Sequence, residues 1–347
     1  MGVKSAQYAS QIAQDLSRGP SMGMWYDCPI EDFKQDDGGG IPGAGMWFYD
    51  DFLGFPNFGL FNGERQIGQW NAWIGNNAGA AIATGADKTT LPQEGGVLGL
   101  TGGTTAIDIS MTAGLGAFRF VTSATGNAMT GRKLWFETRI AVGTIATANL
   151  DLFVGLMDTG DAGTRITSAA SLIFSATNTL NTATSMGACI GFWKRATTNP
   201  ADVAAVYNVN NGVVQLPGTN SNLQQILTNS GVPALASGLT AMSSTAFVAA
   251  ANVWQKLGLV YDPTPSCPSM LVTAAITTNQ TVGQILPARV RYFLNGQLLP
   301  WFLTTNDVVS TKFPNTFLVP TIGYRSGGTA AGVGYVDWMR VAQFASF

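Results

Sequence analysis

The chain has 347 residues, of which 46% are hydrophobic and only 11% are charged, and its formal net charge is −2. An ordinary soluble domain has roughly 25% charged residues, so much of this surface is expected to be covered by other subunits; a surface hydrated by Thr and Asn is the alternative. No stretch concentrates Lys or Arg, which argues against a nucleic-acid partner, and the absence of histidine excludes Ser-His-Asp catalysis and histidine-based zinc sites.

The three cysteines, Cys28, Cys189 and Cys267, are far apart in the sequence. An odd and sparse set is neither a disulfide framework nor a metal-binding spacing, and it favours assembly in a reducing cytoplasm. One disulfide with a spare cysteine stays open. The chain has no run of about 18 apolar residues, so no membrane span or membrane partner is expected, and the first residues do not match a signal peptide.

The N-terminal region, residues 1–46, is predicted to be a helix followed by an irregular arm. Residues 4–18 place apolar side chains three and four apart, and Gly and Pro end this pattern. Residues 19–46 have no periodicity but contain several large apolar side chains. Such side chains anchor an irregular segment either to its own domain or to a partner, and both interpretations stay open. The candidate partner contacts are Met22, Trp25, Tyr26 and Phe33.

Residues 47–347 are predicted to form the body of the protein from short β-strands. The segments are rich in β-branched and aromatic residues, and Gly, Asn, Asp or Pro bounds them, which is typical of an antiparallel sandwich. In 134–140, alternation places Trp135, Glu137 and Arg139 on the face opposite the core. The predicted strands are 47–55, 96–103, 107–111, 118–122, 134–142, 150–158, 188–194, 203–210, 256–262, 289–296, 317–324 and 334–344.

Two insertions interrupt the strand pattern, at about 218–250 and at 263–288. Unstructured loops of this length are unusual in a compact domain, and such segments are usually functional or contain structure of their own. A contact role is favoured over simple variation in loop length.

The C-terminal third resembles the closing strands of a known family. A strand from Trp254 to Asp262 precedes one that ends in the turn dipeptide Asn295-Gly296, and a final strand contains Asp-x-x-Arg-Val from Asp337. This order, over roughly residues 48–347, resembles the concanavalin-A-like lectin/glucanase and laminin-G-like domains. The resemblance implies an all-β fold, an antiparallel jelly-roll β-sandwich with an N-terminal helix and an extended arm.

The arm, the low charge and the Gly/Ala/Thr/Asn-rich sequence also resemble bacteriophage structural proteins that contain this jelly roll. The resemblance implies a capsid decoration (cement) protein located in the virion, often a homotrimer, whose partners are the major capsid protein or other virion proteins. A glycan- or receptor-binding module of a tail or fibre is the alternative, and a glycan hydrolase is less favoured.

The acidic residues do not form the pattern that glycan hydrolysis requires. Glycosidases of this fold need carboxylates at even spacing on one strand, because side chains alternate between faces. Glu137 has no acid two positions away, and Asp337 is likewise isolated, while Asp151 and Asp158 are seven apart. No catalytic residue, no cofactor and no enzymatic activity are therefore expected.

Two further kinds of site have candidate residues, and each has a more ordinary interpretation. Loop oxygens could hold calcium, although turn formation explains these residues as well, so no metal is expected. The calcium candidates are Asp158, Asp161 and Asn210. Tryptophans near loops could stack on sugars, although most Trp residues of a sandwich belong to its core. These candidates are Trp70, Trp73, Trp193 and Trp301.

Overall fold

The computed structural model describes the greater part of the strands and the docked part of the arm. The predicted helix at 4–18 lies outside the described residues. The described residues are 19–33, 44–52, 63–75, 81–84, 96–101, 108–113, 118–120, 131–143, 150–158, 173–176, 179–180, 188–194, 203–209, 214–216, 252–263, 270–271, 285–286, 288–303, 308, 313–326 and 332–344.

Two large antiparallel sheets form the body of the molecule, and we call the first of them sheet A. Its hydrogen-bonded order is β19-β18-β15-β8-β21-β5-β4, and β1 pairs with β21 beside this path. These strands are β1 Gly45–Asp50, β4 Ala81–Thr84, β5 Leu98–Thr101, β8 Leu134–Val142, β15 Gln255–Tyr261, β18 Val290–Leu294, β19 Gln297–Leu303 and β21 Val333–Phe344.

The second sheet, sheet B, has the order β14-β13-β12-β9-β20-β6-β3-β2, and β7 pairs with β20. These strands are β2 Gly63–Ile67, β3 Trp70–Gly75, β6 Asp108–Ala113, β7 Phe118–Arg119, β9 Leu150–Met157, β12 Ala188–Lys194, β13 Val203–Val209, β14 Val214–Leu216 and β20 Phe317–Ser326.

Short elements complete the description. Two small hairpins pair β10 with β11 and β16 with β17, and two helical turns, α1 and α2, belong to the arm. The β16/β17 hairpin belongs to the predicted insertion at 263–288, whereas the insertion at 218–250 lies outside the described residues. The bounds are α1 Met22–Trp25, α2 Ile30–Phe33, β10 Phe174–Ala176, β11 Thr179–Leu180, β16 Met270–Leu271 and β17 Ile285–Leu286.

The chain crosses repeatedly between the two sheets, from β8 to β9, from β14 to β15, from β19 to β20 and from β20 to β21. These crossings and the uniformly antiparallel pairing confirm the predicted all-β jelly-roll sandwich. The predicted hairpin turn is also confirmed, because Asn295 and Gly296 have φ values of 50° and 78°, in the left-handed region that this turn requires.

The main core lies between the sheets and follows the period-two alternation of the strands. Phe136 and Ile140 of β8 face Leu152 and Val154 of β9 across this layer, within one cluster of buried apolar side chains. The opposite, outward face of each sheet has a smaller buried cluster of its own. Both outward faces are therefore partly covered by other segments of the chain.

None of the helices in the described part of the chain is long and apolar enough to cross a membrane.

Candidate functional site

The outward face of sheet A brings together charged and aromatic side chains from three adjacent strands. Glu137 of β8 pairs in register with Arg340 of β21, and Arg340 pairs in turn with Tyr49 of β1. Because paired residues of antiparallel strands point to the same side, these three side chains lie side by side. The arm, residues 19–33, lies across this face and covers its centre.

Glu137 is the buried anchor of the arm, with 1% of its surface exposed. Its carboxylate accepts hydrogen bonds from the Ser21 backbone N–H at 3.0 and 3.3 Å and from Trp25 Nε1 at 2.7 Å. Burial raises the pKa of Glu137, while these hydrogen bonds and the nearby Arg340 guanidinium oppose that rise. The arm thus supplies donors to a carboxylate that would otherwise be costly to bury.

A second anchor has the opposite arrangement, with the acid on the arm and the donors on the body. Asp27 forms an ion pair with Lys133 and accepts a hydrogen bond from Trp135 Nε1 at 3.1 Å. Lys133 Nζ also lies 3.4 Å from a carboxylate oxygen of Asp262. In one anchor the arm donates an indole N–H to a carboxylate of the body, and in the other the body donates an indole N–H to a carboxylate of the arm.

Apolar contacts complete the docking, and glycines leave room for them. A Cβ added at Gly258 of β15 would overlap Met24 Sδ, and one at Gly45 of β1 would overlap the ring of Phe33. The Phe33 ring also packs edge-on against Phe344, with centroids 5.4 Å apart. Side chains of the arm contact the sheet at both glycines, so a larger residue at either position would displace the arm.

Arg340 lies among four aromatic rings on the same face. Its guanidinium carbon is 4.8 Å from the ring centroid of Tyr49, 5.2 Å from that of Trp338, 5.7 Å from that of Trp47 and 5.8 Å from that of Trp25. Three of these rings belong to the body and one to the arm. Cation–π attraction to Arg340 therefore adds to the two carboxylate anchors.

The four predicted partner contacts divide into two pairs. Trp25 and Phe33 are 5% and 3% exposed and pack on the chain's own sandwich, which is one of the two interpretations left open above. Self-docking explains both, because burying an aromatic ring removes much apolar surface from water. Met22 and Tyr26 are instead 38% and 68% exposed. Partner contact stays a prediction for all four residues.

Two of the other acids considered above are held by neighbours within the protein. Asp337 is the extra residue of a β-bulge in β21 and forms an ion pair with Arg139. Asp151 is fully buried and accepts a hydrogen bond from Trp193 Nε1 at 3.2 Å. These contacts give each carboxylate a structural partner.

Of the predicted tryptophan and calcium candidates, the structure describes the side chains of Trp70, Trp193 and Asp158. Trp70 and Trp193 are 0% and 2% exposed and belong to strands of sheet B, so the interpretation as core residues applies to both. The side chains of Trp73 and Trp301 lie outside the described residues, as do Asp161 and Asn210. In the described part of the chain, no group of three or more Cys, Asp or Glu residues could hold a metal ion.

The anchoring role of Glu137 and Asp27 was missed at the level of the sequence. Glu137 was considered only as a catalytic carboxylate without a partner, and its donors lie 116 and 112 residues away. The sequence did contain one indication of this role: Glu137 lies between Trp135 and Arg139 on the outward face, and a carboxylate there needs hydrogen-bond donors if another segment covers it. The aromatic residues of the arm indicated a segment that could cover Glu137 and supply such donors.

No protein-family model matches the chain, and no curated protein matches it. Solved structures with a similar arrangement of strands include a carbohydrate esterase of the Shiga toxin-encoding bacteriophage phi24B, at 16% identity and a TM-score of 0.33 over 80% of this chain and 90% of that one. Peanut lectin is similar at 11% identity and a TM-score of 0.39, over 87% and 99% of the two chains. An endo-1,3-β-glucanase of Streptomyces sioyaensis is similar at 14% identity and a TM-score of 0.38, over 86% and 97%.

The lectin and the glucanase are of the type that the C-terminal strands resemble, and the likeness of all three structures to this chain is one of fold alone. They include both enzymes and a lectin. The fold therefore does not decide whether this chain is an enzyme.

Proposed function

We propose that this chain is a virion structural protein, most specifically a capsid decoration protein that binds an assembled shell and bridges its subunits. The observation that carries the proposal is the division of the arm's large side chains. One set fixes the arm to the outward face of sheet A, and Met22 and Tyr26 stay on the surface. A rigidly held segment that keeps apolar side chains exposed is suited to contact another protein.

The exposed apolar residues extend beyond the arm. Leu298, 47% exposed, follows the β18/β19 turn, and a Cβ on Gly296 of that turn would lie 2.9 Å from Ser21 at the start of the arm. The low charge of the chain supports the same view, since a surface with few charged groups is better solvated when neighbours cover part of it.

The mechanism we propose is multivalent binding. Each copy makes small contacts with several neighbours, and linkage of the contacts through one rigid sandwich raises their combined strength well above that of each alone. The major capsid protein is the proposed partner and the virion the proposed location. A trimer is the proposed assembly state.

A glycan-binding module of a tail or fibre is the alternative, and a hydrolase is disfavoured. Glu137, Asp151 and Asp337 are each engaged by donors from within the chain, so structural contacts account for these three acids. Trp70 and Trp193 are buried, which removes two of the four candidates for sugar stacking.

Light scattering and electron microscopy test the proposal together. The purified chain should be an oligomer over a wide range of salt concentration, and antibody to it should label the shell of the virion. Adding the chain to undecorated shells should raise the temperature at which they release their contents. Antibody labelling of the tail alone, with binding on a glycan array, would favour the alternative. A monomer that binds neither shells nor particles would overturn the proposal.

A further inference from the structure

The arm and the face of sheet A that receives it form a matched pair, and we call the receiving surface the arm socket. The arm socket consists of Gly45, Lys133, Trp135, Glu137, Gly258 and Arg340. Most of these residues are far in sequence from the arm, and the contacts are made through side chains and single backbone groups. Any copy of residues 19–33 that reaches the arm socket can therefore make the same contacts.

The connection between the arm and the body is longer than the docked arrangement needs. Phe33 packs on Gly45, so the two ends of the intervening segment are separated by little more than one side chain. Residues 34–44 nevertheless add eleven residues between them, with the sequence KQDDGGGIPGA. A chain of that length can span roughly 40 Å when extended. The covalent connection thus allows the arm to reach a neighbouring molecule as well as its own body.

We propose that in the assembled oligomer the arm of one copy docks in the arm socket of a second copy. This inference rests on the proposed function, since it requires that the chain form an oligomer. Exchange of an identical element replaces each contact within a chain by the same contact between chains, so it costs little free energy and links the copies. Exchange also combines the two interpretations of the arm given above, because the arm then anchors to a sandwich and contacts a partner at the same time.

The exchanged arrangement adds something that docking within one chain lacks. Met22 and Tyr26 travel with the arm, whereas Leu298 belongs to the body that receives it. In the exchanged oligomer these exposed apolar side chains come from two different copies and lie on the same surface. The surface that we propose for shell binding is then complete only in the oligomer.

A complementation experiment tests the exchange. The Trp25→Ala variant has a defective arm and an intact arm socket, and the Glu137→Ala variant has the reverse. Alone, neither forms an intact pair. Mixed, they form one intact pair in each mixed oligomer if arms exchange, and none if each arm docks only on its own body. Native mass spectrometry of an isotope-labelled and an unlabelled variant should therefore show more mixed oligomers than oligomers that contain only one of the two variants.

Hydrogen exchange of residues 19–33 gives a second readout. The arm of labelled Glu137→Ala protein should exchange about tenfold more slowly after unlabelled Trp25→Ala protein is added, because its hydrogen bonds to a charged group are restored. The milder pair Trp25→Phe and Glu137→Gln serves if either alanine variant does not fold. Unlabelled Glu137→Ala protein, which lacks an intact arm socket, is the matched control and should leave the labelled arm unprotected.

The possible results are distinct. Mixed oligomers with a protected arm support the exchange. If the wild-type chain is an oligomer that binds shells but the variants do not complement, the exchange is wrong and the proposed function stands. If the wild-type chain is a monomer whose arm is protected at every concentration, the exchange is wrong, and labelling of particles then decides the proposed function separately.

Discussion

The outward faces of the two sheets are both covered, and they are covered in different ways. On sheet A the cover is the arm, which carboxylates, indoles and an arginine hold in place. On sheet B the cover comes from the chain between β9 and β12, where Ile173 and Phe174 pack on Phe153 and Trp193 in an apolar cluster. Carboxylate anchors thus hold the segment that precedes the first strand in addition to its apolar packing. Apolar packing, with hydrogen bonds to Ser110 and from Arg325, holds the segment between two central strands.

The difference suggests different energetic roles. Apolar packing on central strands contributes to the same cooperative core as the strands themselves, because neighbouring side chains share contacts. A cover fixed by a few hydrogen bonds and a few inserted side chains can open locally at a lower cost. We therefore expect changes under the sheet B cover to alter global unfolding, and changes under the arm to alter the arm alone.

The largest expected effect comes from Gly155→Val at the centre of sheet B. Gly155 pairs with Gly191, and an added Cβ would overlap the Ile190 carbonyl oxygen and lie 2.7 Å from Gly191 Cα. Overlap with backbone atoms cannot be relieved by a rotamer change, so we expect a loss of about 3 kcal/mol in the free energy of unfolding, measured in urea. Gly334→Ala is the control, because its Cβ would meet Leu152 Cδ1 at 3.4 Å, an ordinary contact. Equal midpoints for the two variants would contradict this prediction.

Truncation of each cover compares the two faces directly. Ile173 is fully buried over Gly323, so Ile173→Ala should lower the global free energy of unfolding by about 2–3 kcal/mol. Met24 is equally buried over Gly258, but Met24→Ala should mainly speed hydrogen exchange of the arm. A urea midpoint that shifts as much for Met24→Ala as for Ile173→Ala would show that the arm unfolds with the body.

The two sheets also contain buried groups of opposite charge, and these respond oppositely to pH. Burial lowers the pKa of Lys194, at the end of β12, from 10.5 to about 8, against the attraction of Asp151. The unfolded chain therefore binds more protons than the folded chain between about pH 8 and 10.5. Burial of Lys194 lowers the free energy of unfolding most below about pH 8, and this loss is recovered as the pH rises through that range. Burial raises the pKa of Glu137 instead, so its contribution favours docking of the arm as the pH falls from neutral toward 4.5.

Urea unfolding at pH 7.5 and 9.5 measures the first effect, and Lys194→Met is the control. The difference between wild type and this variant isolates Lys194, because Cys189, whose pKa is raised to about 12, acts in the opposite direction above pH 9. We expect the difference to change by about 1–2 kcal/mol over this interval. A constant difference would contradict the assignment. Hydrogen exchange of the arm at pH 5 and 7, corrected for the intrinsic rates, measures the effect of Glu137.

The strands were predictable where burial on one face imposed alternation. Residues 134–142 and 188–194 are strands with the bounds expected, and the 203–210 and 334–344 segments differ by one residue at one end. The strands missed include β2, β3 and β19. The last of these holds Pro300 and follows the Asn-Gly turn, so its sequence lacks the unbroken β-branched pattern that identifies a strand.

The candidate site was less predictable because it depends on contacts between distant residues. The aromatic content of the arm indicated an anchor, but the choice between its own domain and a partner rests on the shape of sheet A. Gly258 illustrates the difficulty, since in the sequence it is one glycine in a predicted strand. Only the pairing of β15 with β8 and the docking of α1 on this face place Met24 over Gly258, where a Cβ would otherwise lie. Trp70, expected near a loop, is a buried residue of β3.

The smallest expected effect on stability comes from the exposed part of the arm. Tyr26 is 68% exposed, so Tyr26→Ser should change the free energy of unfolding by no more than about 0.5 kcal/mol. The same variant should weaken shell binding or oligomer formation, because a large aromatic side chain at the centre of an interface contributes strongly to affinity. Phe317→Ser, at the 59% exposed start of β20, is the matched control in sheet B and should leave binding unchanged. If the two variants weaken binding equally, the contact surface includes both faces, and the arm loses its special role. If neither does, Tyr26 is simply a solvated residue on a segment whose purpose is to cover sheet A.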